Sequence, residues 1–317
     1  MQNQLVGNVG VVSSPGASVA LYVQAMRARS LWISTVCVIS GGAIAIWHGH
    51  INAYGLLLAW VAAVAVQAGT NLTNVFHNYK AAARTSGAQF DREGSSAPVR
   101  LGLLSPAAVR RAAGVCFAIG LLAGVALAAQ FGWRILAMGV PGLLAGYFYA
   151  APPLRLAYLG LGVITVFVFM GPVMVVGTYW VQTGSIATGA VLASVAIGLL
   201  AAGIMHVNDV RDYASDVAHG KRTLSITLGR SRASWLLVTM NLVAYLLIVV
   251  AVAARLLPWP VLVVLLTIPG AVRQSQLVIR ERDPAVLNGA WFLSVKLHTQ
   301  FGVLFILGLL LARAMAI

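Results

Sequence analysis

Nine runs of about twenty mostly apolar residues recur along the chain, separated by polar connections. They lie near residues 30–48, 53–76, 108–130, 133–151, 159–181, 187–207, 233–254, 257–273 and 288–312. A helix needs about 20 apolar residues to cross the hydrocarbon core of a bilayer. The pattern therefore predicts an all-α membrane protein of about nine transmembrane helices. The fourth run is short, and Pro141 is expected to kink it. The first 19 residues have neither a basic start nor a long apolar run. They predict a loose tail rather than a cleaved signal peptide, and 20–317 reads as one multi-pass domain.

The connections are unequal. Residues 48–52, 131–133 and 182–185 make short links, whereas 71–106 and 206–232 make two long polar ones. Long polar loops in so apolar a chain mark candidate functional segments.

Composition and charge strengthen the membrane reading. Of 317 residues, 60% are apolar and 9% are charged, against about 25% charged in a soluble domain. So few charges cannot cover a water-facing surface, and lipid must solvate most of the chain. The net charge of +14 would suit nucleic acid, but its distribution argues otherwise. With the N-terminus in the cytoplasm, 17 of the 21 Lys and Arg fall on the cytoplasmic side. Both long loops lie there too. This is the positive-inside pattern, and it makes nucleic acid a poor partner and membrane lipid the expected one. Attraction of anionic lipid or diphosphate comes second to topology. Cys37 and Cys116, inside apolar runs, read as small core residues.

The candidate chemistry sits in the second long loop. Three of the chain's seven carboxylates are Asp209, Asp212 and Asp216, at spacings that share one face of a helix. Three like charges on one face repel unless a cation lies among them. Oxygen-only ligands favour Mg²⁺, which joins carboxylates to substrate phosphates. A solvated helix end is the plain alternative; in a chain this poor in acids, at a membrane boundary, the functional reading is preferred. Lys221 and Arg222 follow directly, and Arg155 follows Pro152-Pro153; each can bind phosphate oxygens. Lys221 and Arg222 also read as part of the positive-inside pattern. Tyr149 can line a cavity and stabilise a cation through its ring, with core packing the alternative.

The window from Asn208 to Asp216, with Gly220-Lys-Arg-Thr-Leu224 and Leu228-Gly229, resembles the second aspartate-rich motif of the UbiA superfamily of intramembrane prenyltransferases. Tyr149-Ala-Ala-Pro-Pro153, Gly160-Leu-Gly162, the run from Gly171 to Thr183 and Arg27-Ala-Arg-Ser-Leu31 resemble its 1,4-dihydroxy-2-naphthoate prenyltransferase branch. The resemblance spans about residues 23 to 230. It implies a nine-helix bundle around a lipid-accessible cavity, a Mg²⁺-bound prenyl diphosphate and an aromatic acceptor. Asp209, Asp212 and Asp216 would then be the metal and catalytic residues. Asn208, Asn71, Asn74, Asn78, Lys80, Arg84, Arg155, Lys221, Arg222 and Tyr149 would contact substrate.

The first motif of that family is altered here. Val75 and Asn78 stand where carboxylates belong, Arg84 stands near a third such position, and Val163 replaces an acid after Gly162. Three readings follow. Lys80 and Arg84 bind diphosphate directly while one Mg²⁺ stays at the second motif. Alternatively, Asp91 and Glu93 fold back to restore an acidic site. In the third, ionisation is altered, giving a terpene cyclase or a non-catalytic isoprenoid or quinone binder. A transporter is disfavoured because the charges avoid the midplane.

Overall fold

The structure, a computed structural model, describes residues 15–82, 96–218 and 220–317. All regular structure among them is helical: α1 (Pro15–Ala25), α2 (Ala28–Trp47), α3 (Ala53–Ala82), α4 (Ala97–Arg100), α5 (Pro106–Phe131), α6 (Arg134–Phe148), α7 (Gly162–Thr183), α8 (Thr188–Arg211), α9 (Tyr213–Ala218), α10 (Leu224–Leu228), α11 (Arg230–Ala253), α12 (Trp259–Arg280) and α13 (Pro284–Ala314). Eight of these are long and apolar enough to cross a membrane, and α6 is a ninth, shorter apolar helix. The nine expected spans are thus α2, α3, α5, α6, α7, α8, α11, α12 and α13.

The bundle is organised around α8. Its sequence is rich in Ala and Gly, and 72% of its apolar window is buried, the largest share of any span. Small residues let neighbouring backbones approach where apolar burial gives no driving force. A Cβ at Gly171 would lie 2.6 Å from the Ser194 carbonyl oxygen and 2.7 Å from Gly198 Cα, so α7 crosses α8 almost backbone to backbone. Buried polar contacts tie the outer helices together: Asn241 donates to Gln274 (2.9 Å), and Gln274 to Ser294 (2.5 Å). Such bonds persist inside a membrane bundle because lipid offers no replacement.

Burial of α8 continues to its last turn, where Val207, Asp209 and Val210 are still buried. The central helix therefore delivers a carboxylate into the interior at one end of the bundle. The same end receives the C-terminal half of α3, which runs to Ala82. Residues 71–80, expected as the start of a loop, are helical. An apolar face explains this: Leu72 and Val75 pack against Val99, Val109 and Ala113.

Other expectations shift similarly. Residues 15–19 of the expected tail belong to α1. Pro141 lies inside α6 without ending it. The marked irregularity is instead in α7, where Phe169–Val176 around Pro172 is π-helical, a wide turn compatible with the missing proline N–H.

Candidate functional site

A cavity of about 290 Å³ lies among α2, α3, α5, α6, α7 and α8. Most of its wall is apolar, including Val38, Leu127, Met138, Val173 and Met174. Leu121 and Val140 line it while 47% and 43% exposed, so on the α5–α6 side the wall is open and apolar. Its polar groups gather where α3 and α8 end: Arg27, Asn71, Asn74, Tyr149 and Asn208. An isoprenoid chain suits the apolar part, and an anionic head suits the polar mouth.

Arg27 enters this mouth from an unusual backbone. It breaks α1 from α2 with φ 54°, ψ 55°, a left-handed conformation that non-glycine residues hold where neighbours impose it. Those neighbours come from α3. Asn71 Nδ2 donates to the Met26 carbonyl (2.8 Å) and to Ser30 Oγ (3.0 Å). Gln67 Nε2 donates to the Ser30 carbonyl (2.8 Å), and Ser30 Oγ caps the Arg27 carbonyl (2.8 Å). Burial pulls the guanidinium below its ordinary pKa, against the opposing pull of Tyr149 and Asp212. Arg27 thus lines the polar end of the cavity together with Tyr149.

The acidic wall is not one helical face. The α8 helix breaks at Asp212, and Asp216 lies on α9. The chain then turns back, with the Lys221 amide donating to the Asp216 carbonyl (3.0 Å). Asp212 is gripped by Arg211 through two bonds of 2.7 and 2.8 Å. Asp216, buried, takes Lys221 Nζ at 2.5 Å. Burial would lower the Lys221 pKa, but Asp216 beside it carries it above the ordinary lysine value. Asp209 is only 7% exposed, and among the described residues no hydrogen bond or ion pair reaches its carboxylate. A carboxylate this little exposed is costly without a nearby cation, so Asp209 is a position where an added cation would fit.

No three His, Cys, Asp or Glu side chains converge as a closed metal cage among the described residues. Two of the three aspartates instead hold cations of the chain itself. The donor set suits one hard cation on oxygen ligands completed by water and substrate.

Tyr149 completes the acidic side. Its hydroxyl is buried with no hydrogen-bond partner. Burial, then the Asp209 charge, pushes its pKa upward, while Arg27 opposes. Tyr149 thus brings a buried hydroxyl without a hydrogen-bond partner to the polar end of the cavity.

Beside the acids, and joined to them through the Lys221–Asp216 pair, lies a cluster built on Tyr158. Its hydroxyl donates to Asn78 Oδ1 (3.0 Å). Lys221 Nζ lies 5.2 Å and Arg155 Cζ 5.7 Å from its ring centre. The Arg222 amide donates to the Tyr158 carbonyl (3.0 Å). Gly160 makes this junction possible: its φ is 78°, and a Cβ there would lie 2.7 Å from the Arg222 carbonyl oxygen.

Of the residues expected from sequence, Asn71, Asn74, Asn208 and Tyr149 line the cavity. Asn74 and Asn208 have no hydrogen-bond partner among the described residues, which leaves their amides available. Asn71 instead shapes the Arg27 turn. Lys80 and Arg222 are exposed, and they, like Asn78, Arg155, Asp209, Asp212, Asp216 and Lys221, are not among the residues that line the cavity. Arg84, Asp91 and Glu93 lie outside the described residues, so the readings that use them have no structural placement. Val75 is fully buried in an apolar cluster, and Val163 packs against Ala202 and Met240; neither side chain faces the mouth. Arg27 and Tyr158 belong to the site although sequence did not nominate them. The signal for Arg27 was the pairing of a tail-end arginine with the Asn71-containing helix end.

The UbiA prenyltransferase family model matches residues 34–299. The chain is 32% identical to the 1,4-dihydroxy-2-naphthoate octaprenyltransferase of Mycobacterium tuberculosis, covering 91% of this chain and 99% of that relative. It is 28% identical to the enzyme of that name from Bacillus subtilis, over 91% and 92% of the two chains. In fold it is similar to a UbiA homolog from Archaeoglobus fulgidus solved with GPP and Mg²⁺, with a TM-score of 0.56, 15% identity, and coverage of 90% and 99%.

Proposed function

The chain belongs to the UbiA prenyltransferase family, and from that premise we propose that it transfers a polyprenyl group from its diphosphate to a naphthoate-type aromatic acceptor within the bilayer. The observation that carries this reading is an apolar cavity whose polar end is lined by Arg27, Asn71, Asn74, Tyr149 and Asn208, with the buried carboxylate Asp209 next in the chain to Asn208. The names of the relatives favour a hydroxylated naphthoate as acceptor.

In this proposal the prenyl tail occupies the apolar cavity and the diphosphate sits at the mouth. Asp209, with Asp212 and Asp216, would hold Mg²⁺, which when bound neutralises charge that builds on the departing diphosphate. That a fold relative was solved with GPP and Mg²⁺ supports a divalent cation in this proposal. Asn208 and Asn74 offer amide groups to the head, and Arg155 and Lys221 bind its oxygens. As the C–O bond to the diphosphate breaks, positive charge grows on the allylic carbon. The apolar wall keeps water away from that carbon, and the Tyr149 ring faces the same cavity. Carbon–carbon bond formation then follows by attack of the electron-rich acceptor ring, which must shed a proton.

The Lys and Arg distribution supports a cytoplasmic mouth, where a water-soluble acceptor meets a lipid-soluble donor. One specific observation favours a second reading. Val75 is buried in apolar packing and supplies no ligand, so a changed ionisation step, with intramolecular cyclisation as its outcome, is the alternative.

One assay separates the two. Purified protein is incubated with labelled prenyl diphosphate, with and without 1,4-dihydroxy-2-naphthoate and Mg²⁺. Transfer yields a larger aromatic product only when acceptor is present. A hydrocarbon or alcohol formed equally without acceptor would replace transfer by cyclisation, and no turnover of any donor would remove both.

A further inference from the structure

Apart from the prenyl cavity, a groove of about 440 Å³ lies between α12 and α13. One wall carries Arg273, Gln276 and Arg280, followed by Glu281. The first three recur at spacings of three and four residues, so they share one face of α12. The other wall is open because α13 places Gly289 there. A Cβ at Gly289 would meet only Leu277 Cδ2, at 3.9 Å. The groove lies at the same end of the bundle as the acids. Asn288, next to Gly289, accepts from Arg211 Nη1 (3.0 Å), and the Glu281 carbonyl accepts from Arg230 Nη2 (2.8 Å).

No protein group uses the polar side chains of this wall. Among the described residues, no hydrogen bond or ion pair engages the side chain of Arg273, Gln276, Arg280 or Glu281. Both rims are apolar and exposed: Val272 and Ile279 on α12, and Val286 on α13. Depth sharpens the problem. From the exposed Trp259, α12 runs through nine 3₁₀ residues and then thirteen α-helical ones. At their usual rises these span roughly 37 Å, beyond the ~30 Å hydrocarbon core. With Trp259 at one interface, Arg280 reaches the opposite headgroup layer. Arg273 lies about 10 Å nearer the centre, at the edge of the hydrocarbon. A charged side chain at that depth is costly unless a polar partner reaches it. Lipid tails offer none, whereas a phosphodiester offers oxygens to both arginines.

Charge selects among phospholipids. Two arginines and one carboxylate leave the groove with a single net positive charge. A lipid with one net negative charge balances it, and Glu281 can accept from a headgroup hydroxyl. We propose that this groove binds one anionic phospholipid of the surrounding membrane, its phosphodiester between Arg273 and Arg280 and its acyl chains along the apolar rims. The site is separate from the prenyl cavity and does not depend on the transfer reading.

Native mass spectrometry of the full-length protein, delipidated in detergent, tests this. It is titrated with dioleoyl phosphatidylglycerol, phosphatidylethanolamine or phosphatidylcholine. One phosphatidylglycerol per chain should bind roughly tenfold or more tighter than the other two. Arg273→Gln/Arg280→Gln should abolish that preference. Gly289→Leu, which fills the groove without changing charge, should abolish it too. Arg110→Gln/Arg111→Gln removes the same charge from the exposed start of α5 and should keep it. Equal affinity for the three lipids, or a preference that survives both groove variants, would overturn the proposal. So would an equal loss in Arg110→Gln/Arg111→Gln, which would show attraction to the basic face as a whole. Displacement of phosphatidylglycerol by glycerol 3-phosphate would make the groove a site for soluble anions and overturn the lipid assignment.

Discussion

Replacing Asp209 by Asn removes one charge and almost no volume, which isolates the electrostatics of the mouth. Asp209 is 7% exposed, has no protein partner among the described residues, and shares its surroundings with Asp212, Asp216 and Lys221. A buried polar group left unsatisfied costs about 1–3 kcal/mol, and more when charged. The neutral amide keeps part of that cost, because its N–H groups also lack acceptors. The net gain from Asp209→Asn without metal is therefore about 1–2 kcal/mol. Saturating Mg²⁺ reverses the order: a ligand at 100 times its dissociation constant stabilises the state that binds it by about 2.7 kcal/mol. Only wild type should collect this. Thermal unfolding in detergent, followed by intrinsic fluorescence in EDTA and in excess Mg²⁺, checks the crossing. The variant should be the more stable protein in EDTA and the less stable one in Mg²⁺. A variant less stable in EDTA, or an equal Mg²⁺ shift in both proteins, would refute the reasoning.

Gly124 and Gly139 line the cavity, and a Cβ at either meets nothing within 4 Å. Leu at either position should fold normally, raise KM for long prenyl donors severalfold and spare short ones, as read from donor-length series. Lys221→Ala removes the ammonium group that pairs with the buried Asp216 carboxylate at 2.5 Å, a group that is itself 28% exposed. Stability should fall by about 1–3 kcal/mol, below the 3–5 kcal/mol of a fully buried pair, and Asp216→Asn added to Lys221→Ala should recover part of it in a double-mutant cycle. Gly160→Ala forces a Cβ to within 2.7 Å of the Arg222 carbonyl at φ 78°. It should cost about 1–3 kcal/mol and weaken diphosphate binding, whereas Gly102→Ala, at φ 72° but with open space around it, should leave diphosphate binding unchanged.

The spans were legible because their lengths follow from bilayer thickness alone, and every expected apolar run became a helix. Their ends were not. The α3 helix continues past residue 76 because Leu72 and Val75 find an apolar face to cover, which only the tertiary fold supplies. The acidic window was legible as chemistry, but its spacing suggested one helical face. The helix instead ends at Arg211, and the chain turns back so that Lys221 meets Asp216. Arg27 and Tyr158 were hidden because their roles depend on partners 40 or more residues away in sequence, Asn71 for Arg27 and Asn78 for Tyr158.

The account turns on whether the acids of α8 and α9 grip a phosphorylated lipid head through a cation. The most direct measurement is the dissociation constant of a prenyl thiodiphosphate for wild type and for Asp209→Asn/Asp216→Asn, each with and without Mg²⁺. The account predicts that Mg²⁺ tightens binding to wild type by at least about tenfold, a difference of about 1.4 kcal/mol, and leaves the double variant unmoved. Equal tightening in both proteins, or none in wild type, would contradict it.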